Sequence, residues 1–296
     1  MTSTAPRAVF VTRETDYELL LARHATREQA RFYLETRGQK LGELETRHEQ
    51  FLTVLHRARA AIPTDWRQTL VRRADLDRFL FAPEDVIIAV GQDGLVANVA
   101  KYLTGQPVLG INPAPGLYDG VLVRVALGRL PATLLGCLHG DTAVENRTMV
   151  EAVLDTGEKL TALNELFVGH RSHQSARYRI AIGDAAEDQS SSGIIVATGT
   201  GATGWARSIM EATGNHIALD PVERAVGFFV REPFPSVATG TALRAGKFGQ
   251  QALAVTSRMT DGVIFADGIE GDFIRFEWGR QVSLAPSNQV LRLVVS

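Results

Sequence analysis

Apolar positions change their period along this chain. "AVFVT" (8–12) is a short continuous apolar run, the mark of a buried strand. From Glu14 to about Ala61 the sequence is charged and rich in alanine and leucine, with apolar residues at helical spacing. Leu41, Leu44, Phe51, Leu52 and Leu55 share one predicted helical face, broken near Gly38 and ended by Pro63. "DVIIAV" (85–90) and "PVLGIN" (107–112) are again continuous apolar runs, with helical sequence between them. Strand, helix, strand at this spacing predicts a parallel sheet covered on its faces.

The character changes near residue 120. "VLVRVAL", "TMVEAVL", "LTALNELFVG", "ARYRIAI" and "GIIVAT" follow at short intervals, separated by turn signals such as "DTG" and "GDAAEDQSSSG". This is the pattern of a mostly antiparallel β region. One helix interrupts it after Gly204, and "AVGFFV", "ALAVTS", "GVIFADG", "FIRFEW" and "VLRLVV" read as further strands. The expected architecture is an α/β nucleotide-binding domain over 1–125, then a β-rich domain over 126–280. A strand at about 281–296 is expected to return to the first domain.

Composition narrows the class. At 296 residues, 45% hydrophobic and 22% charged, the chain suits a globular protein with a substantial core. The 31 basic and 33 acidic residues balance to a net charge of -2, which points away from nucleic acid. Cys137 is the single cysteine, so no internal disulfide forms; within "LLGCL" it reads as a buried small hydrophobe. No stretch has the length of a signal peptide core or of a bilayer span, so a cytoplasmic protein without membrane contact is expected.

Two glycine turns are candidates for phosphate chemistry. "VATGTGATGW" (196–205) contains G-x-G-x-x-G at Gly199, Gly201 and Gly204, the spacing of a dinucleotide-binding turn. Such a turn belongs after the first strand of a βαβ unit, whereas this one lies in the β-rich half, so a hydride-transfer fold is set aside. "AVGQDGLVANV" (89–99) is better placed, because a buried strand ends there and a helix starts at once. Gly91 and Gly94 would permit positive φ and a close approach to the backbone, with helix-start amides facing a ligand. Asp93 would set a carboxylate beside those amides, for proton or Mg²⁺ work in phosphoryl transfer. Taken alone, these residues favour a plain strand-to-helix turn with Asp93 as its N-cap.

Other motifs are thinner. His170 and His173 lie three apart but lack a third metal ligand, and read as a solvated loop. Asp267-Gly268 reads as a hairpin turn without chemistry. No Walker sequence and no G-x-S-x-G occurs, which removes P-loop kinases and α/β-type serine hydrolases.

The turn at 89–95, "GQPVLGINPAP", "ALNELFVG" and "SSGIIVATGTGATGW" stand in the order and spacing of the motifs of the NAD kinase family, which residues 85 to 296 therefore resemble. The "SSG", the T-G-T-G with a tryptophan, and Arg231-Glu232-Pro233 look most like its mitochondrial-type branch. The resemblance implies a two-domain fold and ATP-dependent phosphorylation of the adenosine 2′-hydroxyl of NAD. It matches Asp93 to the catalytic aspartate, and Gly91 and Gly94 to the phosphate-side glycines. Asn164 and Glu165 match the pair that contacts the adenosine of NAD. Thr200, Thr203 and Trp205 fall in the loop lining that pocket, and Tyr118 falls near a pocket aromatic. It further implies Mg²⁺ arriving with ATP, NAD(H) as acceptor, and a homo-oligomer (dimer or tetramer). Gln92 for a glycine, Leu95 for a threonine, Ser192 for an aspartate and Ala202 for a serine depart from the family pattern. Gln92 and Leu95 keep two alternatives open: a kinase of this fold for another nucleoside, sugar or lipid hydroxyl, or a non-catalytic NAD(H)-binding sensor.

Overall fold

A computed structural model describes residues 6–117 and 120–295, apart from the side chain of Glu270. The chain divides into two compact units, 1–145 with 292–296, and 146–291.

In the first unit, β1 (Arg7–Thr12) leads into three helices, α1 (Asp16–His24), α2 (Arg27–Glu35) and α3 (Leu41–Ala60). Then come β2 (Arg67–Arg72), β3 (Asp85–Val90), α4 (Asp93–Ala100), β4 (Pro107–Ile111) and α5 (Leu130–His139). The strands are parallel in the order β2-β1-β3-β4. Every residue of β3 is buried, and after Asp85, which pairs with Arg7, its run from Val86 to Val90 is apolar, as a strand covered on both faces requires. Phe10, Ile88, Val90, Leu109 and Ile111 pack against Phe51, Val54 and Leu55 of α3 and Leu130 and Leu134 of α5. The alternate residues point to the opposite face, and α4 lies against β1, β3 and β4 with Leu95, Val96 and Val99 buried.

The predicted helical stretch breaks near Gly38, which has φ +70°, and also at Ala25, where Thr26 caps a fresh helix. The expected single apolar face is divided between two partners. Leu41 and Leu44 pack with α1 and α2, whereas Phe51 and Leu55 face the sheet; Leu52 is corrected to an exposed position.

The strand expected at "VLVRVAL" is not formed. Leu122, Val123 and Val125 are buried, but the segment lies flat on β4, where a Cβ at Gly110 would strike the Leu122 carbonyl and Val123 Cα. Helix α5 follows, begun by Pro131 and ended by Gly140 at φ +76°. Cys137 lies on α5 only partly buried, and burial raises its thiol pKa.

The second unit is a β-sandwich. One sheet joins β5 (Val144–Leu154), β6 (Lys159–Ala162), β8 (Ala176–Ile182), β9 (Ala185–Ser191), β13 (Leu253–Ser257) and the first part of β16 (Gln281–Val294). The other runs β12-β11-β10-β7-β14-β15. Its strands are β7 (Glu165–His170), β10 (Ile194–Ala197), β11 (Val226–Val230), β12 (Ala245–Phe248), β14 (Gly262–Ala266) and β15 (Ile269–Arg275). Inward residues of both sheets, among them Leu166, Val168, Tyr178, Ile180, Phe228 and Val255, form the core. Helix α6 (Trp205–Thr213) covers the outer face of the second sheet through Ala206 and Met210, against Phe167, Ile195 and Phe229.

Strand β9 replaces the turn expected over "GDAAEDQSSSG". Its inward positions are polar: Gln189 and Ser191 are buried and bond the Tyr178 hydroxyl at 3.0 and 2.7 Å. Of β16, Leu253 to Thr256 of β13 pair with its opening residues, while its Arg292 and Leu293 pair with Pro107 and Val108 in the first unit.

Candidate functional site

In the first unit, β3 delivers the chain into Gly91 and Gln92, and α4 starts at Asp93. Gln92 is the N-cap but makes no side-chain cap, and among the described residues nothing takes the N–H of Asp93 or Gly94. Two amides at a helix start thus remain for an anion. Asp93 is not the N-cap of the plain-turn reading. Its Oδ2 accepts the Val121 N–H at 2.9 Å and its Oδ1 the Leu122 N–H at 2.8 Å. The carboxylate is therefore held in one orientation, with a lone pair left on each oxygen.

The glycines act differently from expectation. Neither Gly91 nor Gly94 has positive φ. A Cβ at Gly91 would stand 2.9 Å from Cδ2 of buried Leu95, so a side chain there would force that leucine to shift. At Gly94 a Cβ would meet nothing within 4 Å, so this turn of the backbone is open. Tyr118 lies outside the described residues.

In the second unit, Asn164 and Glu165 stand at the head of β7 on a framework of backbone bonds. The Asp267 carboxylate accepts the N–H groups of Leu163 (3.0 Å), Asn164 (2.7 Å) and Glu165 (3.3 Å), and its own N–H donates to the Glu165 carbonyl. Asp267 and Gly268 form the predicted hairpin turn, with φ +50° and +68°, so the turn also serves as a clamp. Thr198 completes the framework: its hydroxyl donates to the Leu163 carbonyl at 2.6 Å and accepts the N–H groups of Thr200 and Gly201. Neither the Asn164 nor the Glu165 side chain hydrogen-bonds to another described residue. Burial, and then the Asp267 charge, push the Glu165 pKa up to about 7.

The glycine loop meets protein rather than open space. A Cβ at Gly199 would overlap the Asp220–Pro221 peptide, and one at Gly201 the Asn164 carbonyl. Thr200 is buried, where Arg147 reaches its hydroxyl at 3.4 Å, and exposed Thr203 donates to the Thr200 carbonyl at 2.9 Å. Trp205 is half-buried; its ring lies parallel to Phe167 with centroids 6.1 Å apart, and the Arg231 guanidinium stands 5.2 Å from its centre. The sequence did not mark Asp267 and Thr198 as holding this framework, and the visible signal was the D-G turn itself. His170 bonds Ser172 on an exposed loop, and no three metal-ligating side chains converge among the described residues.

No protein-family model matches the chain. It is 26% identical over 206 residues to the NAD kinase of Chlorobaculum tepidum, covering 67% of this chain and 68% of that protein. It is 33% identical over 129 residues to the NAD kinase of Clostridium kluyveri, covering 41% and 44%, so this match spans less than half of either protein. In fold it resembles an NAD kinase from Archaeoglobus fulgidus solved with ATP, at TM-score 0.60 and 18% identity, over 97% of this chain and 93% of that one. Yeast NADH kinase solved with NADH superposes at TM-score 0.59 and 13% identity, over 100% and 85%. The relatives named here in sequence are NAD kinases, and the α/β-plus-β-rich fold is that of the NAD and NADH kinases it resembles in structure.

Proposed function

We propose that this protein phosphorylates the adenosine 2′-hydroxyl of NAD with ATP, giving NADP. The Asn164–Glu165 pair carries the reading: an amide and a carboxylate, unbonded to described residues, stand on a backbone framework clamped by Asp267. A carboxylate accepts from vicinal ribose hydroxyls, and an amide offers both a donor and an acceptor. Thr200, Thr203 and Trp205 belong to the same acceptor region through the loop that Gly201 seats on Asn164. The amides after Gly91 and at Gly94 would receive donor phosphates. Asp93 would take the proton as the 2′-oxygen bonds the γ-phosphorus and ADP departs, or would hold a metal ion.

Mg²⁺ fits this chain as a guest of ATP. A single carboxylate, Asp93, stands at the turn, and no cluster of three ligands occurs among the described residues, so phosphates would supply most of its oxygens. The ion supplies charge neutralisation on the transferring phosphoryl group. The mitochondrial-type affinity, a homo-oligomer and a cytoplasmic location belong to the same reading. They rest on the family motifs and on helices of which none, among the described residues, is long and apolar enough to cross a membrane.

A second reading, an NAD(H)-binding sensor, draws on Leu95, which packs against Gly91 and stands in place of the threonine of the motif that this turn resembles. A coupled assay for NADP or NADPH formation, with NAD and NADH each offered beside ATP and Mg²⁺, separates the two. Turnover supports the kinase; tight NAD(H) binding with no product supports the sensor.

A further inference from the structure

Among the described residues two charged side chains are buried, Asp85 and Arg147. Asp85 is paired with Arg7 in the first unit. Arg147 lies near the start of β5 in the second unit, 2% exposed, and its Nη1 donates to the Thr200 hydroxyl at 3.4 Å. Burying a charge is costly, so a guanidinium held behind the acceptor loop calls for a reason.

The approach of Arg147 to Thr200 is fixed by its neighbours. The next residue, Thr148, donates its N–H to the Pro221 carbonyl and its hydroxyl to the Glu223 carbonyl, each at 2.8 Å. The Asp220–Pro221 peptide in turn packs so closely on Gly199 that no Cβ fits there. Residues 220–223 thus tie the start of β5 to the loop that carries Thr200.

The direction of the hydrogen bond gives the contact its meaning. A guanidinium has five donors and no acceptor, so the Thr200 oxygen accepts and its own hydrogen must point elsewhere. The Thr200 N–H goes to the Thr198 hydroxyl at 3.1 Å, and the Thr200 carbonyl accepts from Thr203 at 2.9 Å. The Thr200 hydroxyl hydrogen goes to no described residue. One buried donor is therefore left over, on the loop that Gly201 seats against Asn164. Glu165, the next residue along β7, is acceptor-only once ionised. A donor and an acceptor together suit a nucleoside, whose ribose hydroxyls donate and whose oxygens and ring nitrogens accept.

We propose that Arg147 is a positioning residue for the acceptor: by holding the Thr200 oxygen from behind, it turns the hydroxyl hydrogen toward a lone pair of the bound nucleoside. Arg147 acts through Thr200 and moves no proton itself. The inference rests on the acceptor site of the kinase reading given above. It lets a buried charge outside the quoted motifs set the polarity of a threonine within one of them.

The test uses the full chain with Arg147→Met, Arg147→Lys, Thr200→Val and the double variant Arg147→Met/Thr200→Val. Each of Arg147→Met and Thr200→Val is expected to raise the KM for NAD, and the Kd for NAD by calorimetry, about tenfold, as loss of one buried hydrogen bond does. The KM for ATP should stay within about twofold, and Arg147→Lys should fall between wild type and Arg147→Met. The double variant should bind NAD no worse than the weaker single, because both changes remove one interaction. If Arg147→Met does not fold, the cycle is closed with Arg147→Lys, whose loss must again vanish beside Thr200→Val. Losses that add in the double variant, equal rises in both KM values, or a folded Arg147 variant with unchanged NAD affinity overturn the proposal, as does a wild type that binds no NAD. A wild type that shows this cycle in NAD binding but forms no NADP sinks the kinase reading and leaves the role of Arg147 in place.

Discussion

The Asp267 carboxylate accepts the backbone N–H of Asn164 at 2.7 Å, while the Asp267 N–H donates to the carbonyl of Glu165 at 3.0 Å. One residue of a β-turn thereby holds the peptide between the two side chains read as acceptor contacts. A buried N–H left without its acceptor costs about 1–3 kcal/mol. Asp267→Ala is therefore expected to lower Tm by several degrees and to raise the KM for NAD more than that for ATP. Equal changes in both KM values would show that the clamp serves the fold alone.

Glu165 makes stability depend on pH. Its pKa stands near 7 in the folded protein against 4.5 for an ordinary glutamate. Between these values the folded state keeps a proton that the unfolded chain has released, so stability falls as pH rises through the window and is level above it. The full loss is about 3 kcal/mol. Glu165→Gln removes the slope: it should match the wild type at about pH 4 and exceed it at about pH 8 in denaturant titrations. If the ionised carboxylate accepts ribose hydroxyls, the wild-type KM for NAD should also fall as pH rises through about 7. Parallel stability curves for the two proteins would remove Glu165 as the titrating group.

Asp93→Asn is not a silent exchange here. The amide can accept one of the N–H groups of Val121 and Leu122 but must turn its NH₂ toward the other. A drop in Tm is expected along with a loss of phosphoryl transfer of roughly 10²–10⁴-fold, the range for a missing general base. Circular dichroism and single-turnover rates on the same sample separate the two effects. Transfer within a few-fold of wild type would confine Asp93 to tying α4 to residues 121 and 122.

Trp205 can be examined by fluorescence after Trp66→Phe and Trp278→Phe. NAD is expected to change its emission, and Trp205→Ala to weaken NAD binding about tenfold by analogy with the value of one aromatic–base stack. The same variant loses the contact with Phe167 and should melt earlier. Earlier melting with unchanged NAD affinity would assign the ring to packing alone.

Legibility in the sequence followed the kind of burial. The strands at 85–90 and 107–111 were plain because nearly every position of each is apolar and buried, the first opening on the buried Asp85. Strand β9 was hidden because its inward residues, Gln189 and Ser191, satisfy a buried tyrosine rather than repel water. Helix α5 was hidden by an apolar run that suits a strand as well as a helix. Asp93, Asn164 and Glu165 were singled out as candidates by their motifs. The bonds that hold them come from positions up to 103 residues away, and no local pattern carries those.

Strand β16 has a consequence for how the polypeptide is made. Val294 is fully buried in the first unit's core, and Arg292 and Leu293 complete its sheet beside β4. A ribosome delivers residues in order, and domains that are contiguous in sequence can close as they emerge. The first unit here cannot: its sheet edge beyond β4 stays open throughout the synthesis of residues 146–291. During translation that edge is a waiting template, and whatever shields it until β16 arrives decides how much of the chain escapes aggregation.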